Sequence, residues 1–431
     1  MIKTLTYPSH TIASTINIDG LSSRFEHMCL FESNAAINPN DQLNYDRILA
    51  LGASSELVIK QHQNAFKKLQ KFVDANKGWT FGYLSYDLKN ETEGLSSGNH
   101  DRMEFSLIHF FAPLLVIRFG KENISLHFND EFISETEADS IYQLAISSEK
   151  KSGNTVSLKI HSAITKENYL SSVQQLKQHI QQGDIYEVNF CQEFYASGVI
   201  DPAFIFEKLN AISGAPFSVF AKTRDHYLLC ASPERFLQKT GITLRSQPIK
   251  GTTRRSFDPK EDEILKRDLH QNEKERSENI MIVDLVRNDL SRIAKRGSVL
   301  VEELCKVYSY KQVHQLISSV KCELKDTASF SEIIQNTFPM GSMTGAPKVK
   351  AMELIEKYES TKRGLYSGAI GYIDPEGNFD FNVVIRSILY NSATAQLSFM
   401  VGSAITDKSE PIKEYEECML KAKAMFEVLQ G

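Results

Sequence analysis

Between residues 217 and 246, four runs of strand character follow one another almost without interruption, near 217–223, 226–231, 234–239 and 241–246. This spacing constrains the fold more than any other feature of the chain. Adjacent parallel strands need a crossover of a dozen or more residues, whereas antiparallel neighbours need only a tight turn. Further runs at 186–195, 299–306, 314–325, 367–374, 379–390 and 395–403 come in similar blocks, with helical stretches between the blocks. The pattern predicts an α+β chain with antiparallel sheets. The missing strand–helix–strand alternation argues against a dinucleotide-binding fold or a barrel.

At 431 residues the chain has room for one large or two to three ordinary domains, and 42% hydrophobic with 24% charged residues is globular composition. A formal net charge of −5 gives no bulk attraction to nucleic acid. The start, MIKTLTYPSH, lacks the apolar core of a signal peptide, and no run approaches a membrane span. The six cysteines are scattered without a CxxC pair, so they are expected to be reduced, buried thiols of a cytoplasmic protein, and nothing in their spacing points to zinc. Residues 1–150 read as a β-rich N-terminal region packing on a catalytic part at 160–431, with the polar stretch SSEKKSGN, 147–154, as linker. In the first region, 57–72 looks helical and the segment holding Trp79 looks like a core strand.

Beyond the linker the periodicities sharpen. Tyr169, Val173, Leu176 and Ile180 recur at helical spacing over 166–182, with Thr165 to cap the start and Gly183 to end it. Over 186–195 apolar and polar residues alternate, placing Glu187, Asn189, Cys191 and Glu193 on one face, toward a site or toward solvent. A helical region at 259–295 is expected to break near Asn272, another helix to start near Pro347, and a last one to cover 411–430.

One short stretch combines features that can hold a reactive side chain: QPIKGTTRR, Gln247 to Arg255. Proline removes a backbone donor and glycine turns without a Cβ clash, so Lys250 is held at a fixed kink. Such a lysine is a nucleophile if its surroundings lower its pKa. With Arg254 and Arg255 beside it, it equally fits a solvated or phosphate-facing basic turn. Glu278 shares a helix face with Met281, Ile282 and Leu285. A carboxylate there is hydrated at the edge of the stripe, paired with Lys274 or Arg276, or bound to metal. Glu414 and Glu417, three apart, flank a stripe of Tyr415, Met419, Ala422 and Phe426. They are either solvated and matched to Lys413 and Lys421, or join Glu278 in a carboxylate set of the kind that suits Mg²⁺. Arg386 ends the apolar run FNVVIR, where it can fork onto a carboxylate or lie at a surface strand end. The small residues of MVGSAITD, Met400 to Asp407, admit an anion to backbone N–H groups or form a simple turn. GSMTGAPK lacks phosphate-loop spacing. Glu234, in SPERF, is a candidate general acid if its strand neighbours that of Lys250, and otherwise a glutamate at a strand start.

Taken in order, GDIYEVNFCQEF, SPERF, PIKGT, RSENIMIVDLVRNDLSRIA, TGAPKVKAM, RGLYSGAIGYID, IRS and EYEE resemble the chorismate-utilising enzyme family over roughly residues 160–430. The N-terminal part is similar only through LFES and FGYLSYDL. Anthranilate and isochorismate synthases usually carry alanine at the position of Lys250; lysine in PIKGT resembles the aminodeoxychorismate synthase branch. The resemblance implies two stacked antiparallel sheets flanked by helices around a cleft, with chorismate as substrate and Mg²⁺ as cofactor. It implies Glu278 and Glu417 as metal ligands with Glu414 close by. It implies Arg386, Tyr366 and the Gly402–Ala404 backbone, Ser403 included, as the carboxylate-binding set. Thr344 and Thr252 would be polar substrate contacts, and Glu234 the acid beside the departing hydroxyl. The family histidine of HLVS is replaced by Gln315, preceded by His314, and a strand position that is often glutamine is Glu187.

The implied reaction converts chorismate and ammonia to 4-amino-4-deoxychorismate, for 4-aminobenzoate and folate synthesis, through a covalent Lys250 adduct. No glutaminase segment is visible, so ammonia is expected from a glutamine amidotransferase partner. The alternatives are anthranilate synthase component I, which releases pyruvate, and a non-catalytic relative that binds an aromatic amino acid through the LFES region.

Overall fold

The computed structural model describes residues 2–8, 15–34, 47–147, 157–310 and 313–431. Nearly all of the expected linker therefore lies outside the described residues. Two antiparallel sheets dominate. The first has twelve strands and runs from Ile2–Pro8 through Asn123–Asn129, Leu115–Phe119, Arg47–Leu51 and His27–Glu32 to Phe217–Thr223. It continues through His226–Ser232, Ser387–Asn391, Gln396–Ile405 and Glu187–Ser197 to Gly345–Ala346. The second has ten, from Ile249–Arg254 through Val313–Glu323, Thr243–Gln247, Arg235–Thr240, Phe379–Val383 and Ala369–Ile373 to Thr80–Leu84, Ile108–Ala112 and Ser55–Ile59. Strands from before residue 150 enter both sheets: His27–Glu32 pairs with Phe217–Thr223, and Thr80–Leu84 with Ala369–Ile373.

The sheets stack face to face. Cys29, Phe31, Ile48 and Val116 of the first meet Phe81, Tyr83, Phe111 and Tyr372 of the second in a shared core. Phe81 and Phe111 are fully enclosed, each side chain worth about 1.5–3 kcal/mol of burial. Helices cover the outer faces. Lys166–Gln181, Pro202–Ser213 and Pro411–Gln430 pack on the first sheet, and Ala65–Ala75, Glu273–Ser291 and Phe330–Thr337 on the second. No helix among the described residues is long and apolar enough to cross a membrane.

Local signals explain most element ends. The Thr165 side chain accepts from the Asn168 N–H, and Gly183 follows the helix with φ +84°. Asn272 separates helices Pro259–Gln271 and Glu273–Ser291, its side chain accepting from the Glu275 N–H. Three expectations change. The helix read at 57–72 is a strand, Ser55–Ile59, followed by a helix, Ala65–Ala75; the polar run Lys60–Gln63 and a left-handed Asn64 separate them. The strand read at 379–390 is two strands, Phe379–Val383 in the second sheet and Ser387–Asn391 in the first, with Arg386 at φ +53° in the crossing. In the last helix Glu414 does not flank the buried stripe but belongs to it, with Cys418, Ala422 and Met425.

The crossing at Arg386 has a neighbour. The chain leaves His226–Ser232 in the first sheet and enters Arg235–Thr240 in the second through Pro233 and Glu234. The two crossings are joined by hydrogen bonds from Val383 N to Glu234 O and from Ala231 N to Arg386 O. Strands that switch sheets side by side open a seam between the layers, and the site lies there.

Candidate active site

The seam widens into a cleft of about 700 Å³. Helix Glu273–Ser291 and strand Ile249–Arg254 wall one side, and strand Gln396–Ile405 and helix Pro411–Gln430 the other. Lys250, Glu234, Thr252, Glu278, Tyr366, Arg386, Gly402, Ala404 and Glu417 all line it. Sequence positions spread over more than 180 residues thus share one chamber. Thr344, Ser403 and Glu414 do not line it. The Thr344 hydroxyl donates to Met340 O and Gly341 O inside its own loop. Ser403 sits on the opposite face of its strand, against the Tyr169 hydroxyl at 3.2 Å. Glu414 lies beneath the wall, accepting from Lys274 Nζ at 3.3 Å.

Lys250 is held by a β-bulge. Ile249 pairs with Ile317 and Thr252 with Gln315, and the register shifts between them. Gly251 takes φ +88°, which L side chains rarely adopt, and this extra residue turns the lysine inward. Lys250 Nζ donates to Glu187 Oε1 at 2.7 Å. Burial works against the charge on Lys250, but Glu187, Glu278 and Glu234 outweigh it and hold its pKa above the usual lysine value. The sequence-based expectation of a depressed pKa is therefore reversed in this state of the site: Lys250 is an ammonium.

Glu234 is buried, and its Oε1 accepts from the Ser342 hydroxyl at 2.6 Å. Burial pushes its carboxyl up to about 7, with Ser342 and Lys250 acting in the opposite direction. That value suits a group that must carry a proton near neutral pH. Glu278 is likewise raised to about 7, chiefly by burial, with Lys250 opposing. Burial also pushes the Glu417 carboxyl up, but Lys421 and Lys274 outweigh it and leave the group below the usual glutamate value.

The carboxylates fit a divalent cation. Glu187 Oε2, Glu278 Oε1 and Glu414 Oε2 are buried without a hydrogen-bond partner among the described residues. An ionised oxygen so placed is costly unless something positive meets it. Lys274 Nζ supplies part of that charge, 3.8 Å from Glu278 and 3.3 Å from Glu414. Lys421 pairs with Glu417 at 2.6 Å and donates to Gly402 O at 2.9 Å. With these ammonium groups in place, the oxygens of Glu278, Glu414 and Glu417 do not all lie within 4.8 Å of one another.

Arg386 projects into the cleft and makes no hydrogen bond or ion pair among the described residues; burial pulls its pKa down. An unpaired guanidinium at the edge of a closed chamber is suited to a carboxylate from a ligand. Tyr366 is buried beside it, its hydroxyl 3.6 Å from Cys191 Sγ. A Cβ on Gly402 would come within 2.4 Å of Cys191 Sγ and 2.9 Å of Asn189 Oδ1, so only glycine lets the two strands close here.

The alternation at 187–197 resolves toward the site: Val188, Phe190 and Phe194 enter the helix-covered core, while Glu187, Asn189, Cys191 and Glu193 are buried on the other face. Gln315 lines the cleft, while His314 points away, bound to Asp262 Oδ1 at 3.0 Å and Ser309 Oγ at 2.8 Å. No imidazole therefore replaces the missing family histidine. Arg254 and Arg255 pair with Glu261 and Asp262 of the adjoining helix. Sequence reasoning assigned no role to Ser342, Lys274, Glu275 or Lys421. The first lies in a loop with no periodicity, and the others look like ordinary surface charges until two helices face each other.

Residues 24–427 match the model of the chorismate binding enzyme family. The chain belongs to that family. It is 35% identical to aminodeoxychorismate synthase component 1 of Bacillus subtilis over 367 residues, 82% of this chain and 77% of that protein. It is 32% identical to anthranilate synthase component 1 of Acetivibrio thermocellus over 387 residues, 84% of this chain and 78% of that protein. The crystal structure of anthranilate synthase component I from Streptococcus pneumoniae superposes with a TM-score of 0.80 at 24% identity, covering 91% of this chain and 94% of that one. The chain is thus a chorismate-utilising enzyme with the stacked-sheet fold of these synthases.

Proposed function

We propose that this enzyme aminates chorismate at ring carbon 4, giving 4-amino-4-deoxychorismate with the enolpyruvyl group retained, for 4-aminobenzoate and folate synthesis. The observation that carries this reading is Lys250, aimed into the cleft by its bulge, with Glu234 in the same chamber. The relatives named aminodeoxychorismate synthase component 1 support it.

Neutral Lys250 attacks carbon 2 of the ring. The two ring double bonds shift, the bond from carbon 4 to its hydroxyl breaks, and the proton of Glu234 leaves with that oxygen as water. Ammonia then attacks carbon 4, the double bonds shift back, and the lysine departs. Hydroxide is a poor leaving group, so the step needs an acid that is protonated near neutral pH, which the buried Glu234 offers. Lys250 must first lose a proton, and Glu187, 2.7 Å away, is the acceptor in contact with it. Mg²⁺, held by Glu278, Glu417 and Glu414, would supply positive charge that favours the neutral amine and offsets the substrate carboxylate. Arg386, Tyr366 and the backbone at Gly402 would hold that dianion's second carboxylate and fix the ring between lysine and acid.

Ammonia would come from a glutamine amidotransferase subunit; the designation of relatives as component 1 supports a second component. Relatives named anthranilate synthase component 1 favour a second reading, in which pyruvate is eliminated. Product analysis decides. With chorismate, Mg²⁺ and ammonium, the amination reading requires a product that keeps the enolpyruvyl group and no pyruvate. Stoichiometric pyruvate with anthranilate overturns it.

A further inference from the structure

We propose that His27, Glu56 and His109 form a binding site for a divalent transition metal of the zinc class, separate from the chorismate cleft. Among the described residues, these three alone bring a set of His, Cys, Asp or Glu ligand atoms within 4.8 Å of one another. They come from three strands and both layers. His27 opens His27–Glu32 in the first sheet; Glu56 and His109 lie on Ser55–Ile59 and Ile108–Ala112 at one edge of the second. In that edge ladder Glu56 faces Phe111 and Val58 faces His109, so Glu56 and His109 are diagonal neighbours on one face. The His27 ring reaches that face, 5.5 Å from the His109 ring and 5.4 Å from Phe111.

The donor atoms have the spacing a tetrahedral ion requires. Glu56 Oε2 lies 2.8 Å from His27 Nε2 and 3.5 Å from His109 Nε2. Bonds of about 2.0–2.1 Å at tetrahedral angles put ligand atoms about 3.3 Å apart, so small side-chain rotations suffice. Two histidines and one glutamate leave a fourth position for water.

An independent observation points to an absent ligand. His109 is 5% exposed, and its Nε2 has no hydrogen-bond partner among the described residues. Hydrogen bonding within the cluster accounts for His27, which meets Glu56, but not for a buried imidazole nitrogen aimed at the same carboxylate without bonding to it. Burial lowers the pKa of both rings, His109 to about 4, so each offers a neutral nitrogen at neutral pH. Arg224 pairs with the other oxygen, Oε1, fixing the carboxylate as an outer-shell partner does. Its charge, with nearby His226, opposes a cation, and the Glu56 carboxylate offsets that opposition. The Glu56 side chain is 28% exposed, which gives an ion access from solvent. A metal here would tie the edge strand of one sheet to the other sheet. None of the three residues lines the cleft.

The test uses the full chain stripped with a chelator, incubated with zinc sulfate and desalted, followed by zinc analysis. About one zinc per chain is expected, with thermal unfolding shifted upward. Retention should fall at least about tenfold in both His27→Gln and His109→Gln, and persist in Glu278→Gln, which separates this site from the cleft carboxylates. X-ray absorption of the zinc-loaded wild type should show two imidazoles in the first shell, a readout that needs no variant. No retained zinc, an oxygen-only shell, or undiminished zinc in His109→Gln overturns the proposal.

Discussion

At Glu234, burial raises the carboxyl pKa to about 7, while the Ser342 hydroxyl, donating across 2.6 Å, pulls it down by stabilising the charged form. If Glu234 is the acid, kcat/KM falls as pH rises through about 7. Ser342→Ala removes the opposing hydrogen bond, so the falling limb should move to higher pH; a limb that stays or moves down contradicts the assignment. The same shift has a sign for stability. An unfolded glutamate ionises near 4.5 and the folded one near 7, so stability is complete below the lower value and is lost as pH rises through the upper. Glu234→Gln should therefore raise stability by about 1–3 kcal/mol at about pH 8, read by denaturant unfolding, while turnover falls by about 100-fold or more. At this scale the sequence was informative where a residue type broke a local pattern: Glu278 on an apolar helix face, Lys250 between proline and glycine. It was uninformative about the charge state of Lys250. That state depends on Glu187, Glu278 and Glu234, which approach it only in the folded chain.

Elements place these side chains more tightly than the turn chemistry of the sequence suggests. The glycine after Lys250 does not close a turn; it is the left-handed residue of a bulge whose Cα faces the helix of Glu275. A Cβ on Gly251 would lie 3.0 Å from Glu275 Oε2 and 3.2 Å from Glu275 Cβ, in a backbone conformation strained for alanine. Gly251→Ala should cost about 1–3 kcal/mol of stability and lower kcat by misaiming Lys250, with thermal unfolding and steady-state kinetics as the checks. Retained stability and activity would show that the bulge does not position the lysine. The crossing at Arg386 was not legible, because FNVVIRSILY reads as one continuous strand. Hydrophobic periodicity reports burial on a face and cannot report that the chain changes sheets at a left-handed arginine. The helix misread at 57–72 has a related cause: a half-buried edge strand and a short helix, joined by polar residues, together mimic helical spacing.

Across the whole molecule, antiparallel pairing and the α+β class followed from strand spacing, and the stacked sheets from the family resemblance. The order of strands did not follow, since pairing between residues such as Ala221 and Cys29 leaves no trace in local pattern. The order has a consequence. Both sheets draw central strands from before residue 150, so a fragment covering 157–431 would expose the edges of Phe217–Thr223 and Ala369–Ile373. That fragment should be insoluble or unfolded, and the full chain should melt in one calorimetric transition. A soluble, cooperatively folded fragment would contradict this. The chemistry is tested most directly on the intact protein as well. The chain is exposed to chorismate and Mg²⁺ without ammonia, quenched, and weighed by mass spectrometry, with Lys250→Ala alongside. The expected result is an added mass of chorismate less one water, mapped to Lys250, absent from the variant and discharged by ammonium. Wild-type protein of unchanged mass under conditions where it turns over chorismate with ammonium, or an identical adduct on Lys250→Ala, would contradict the nucleophile.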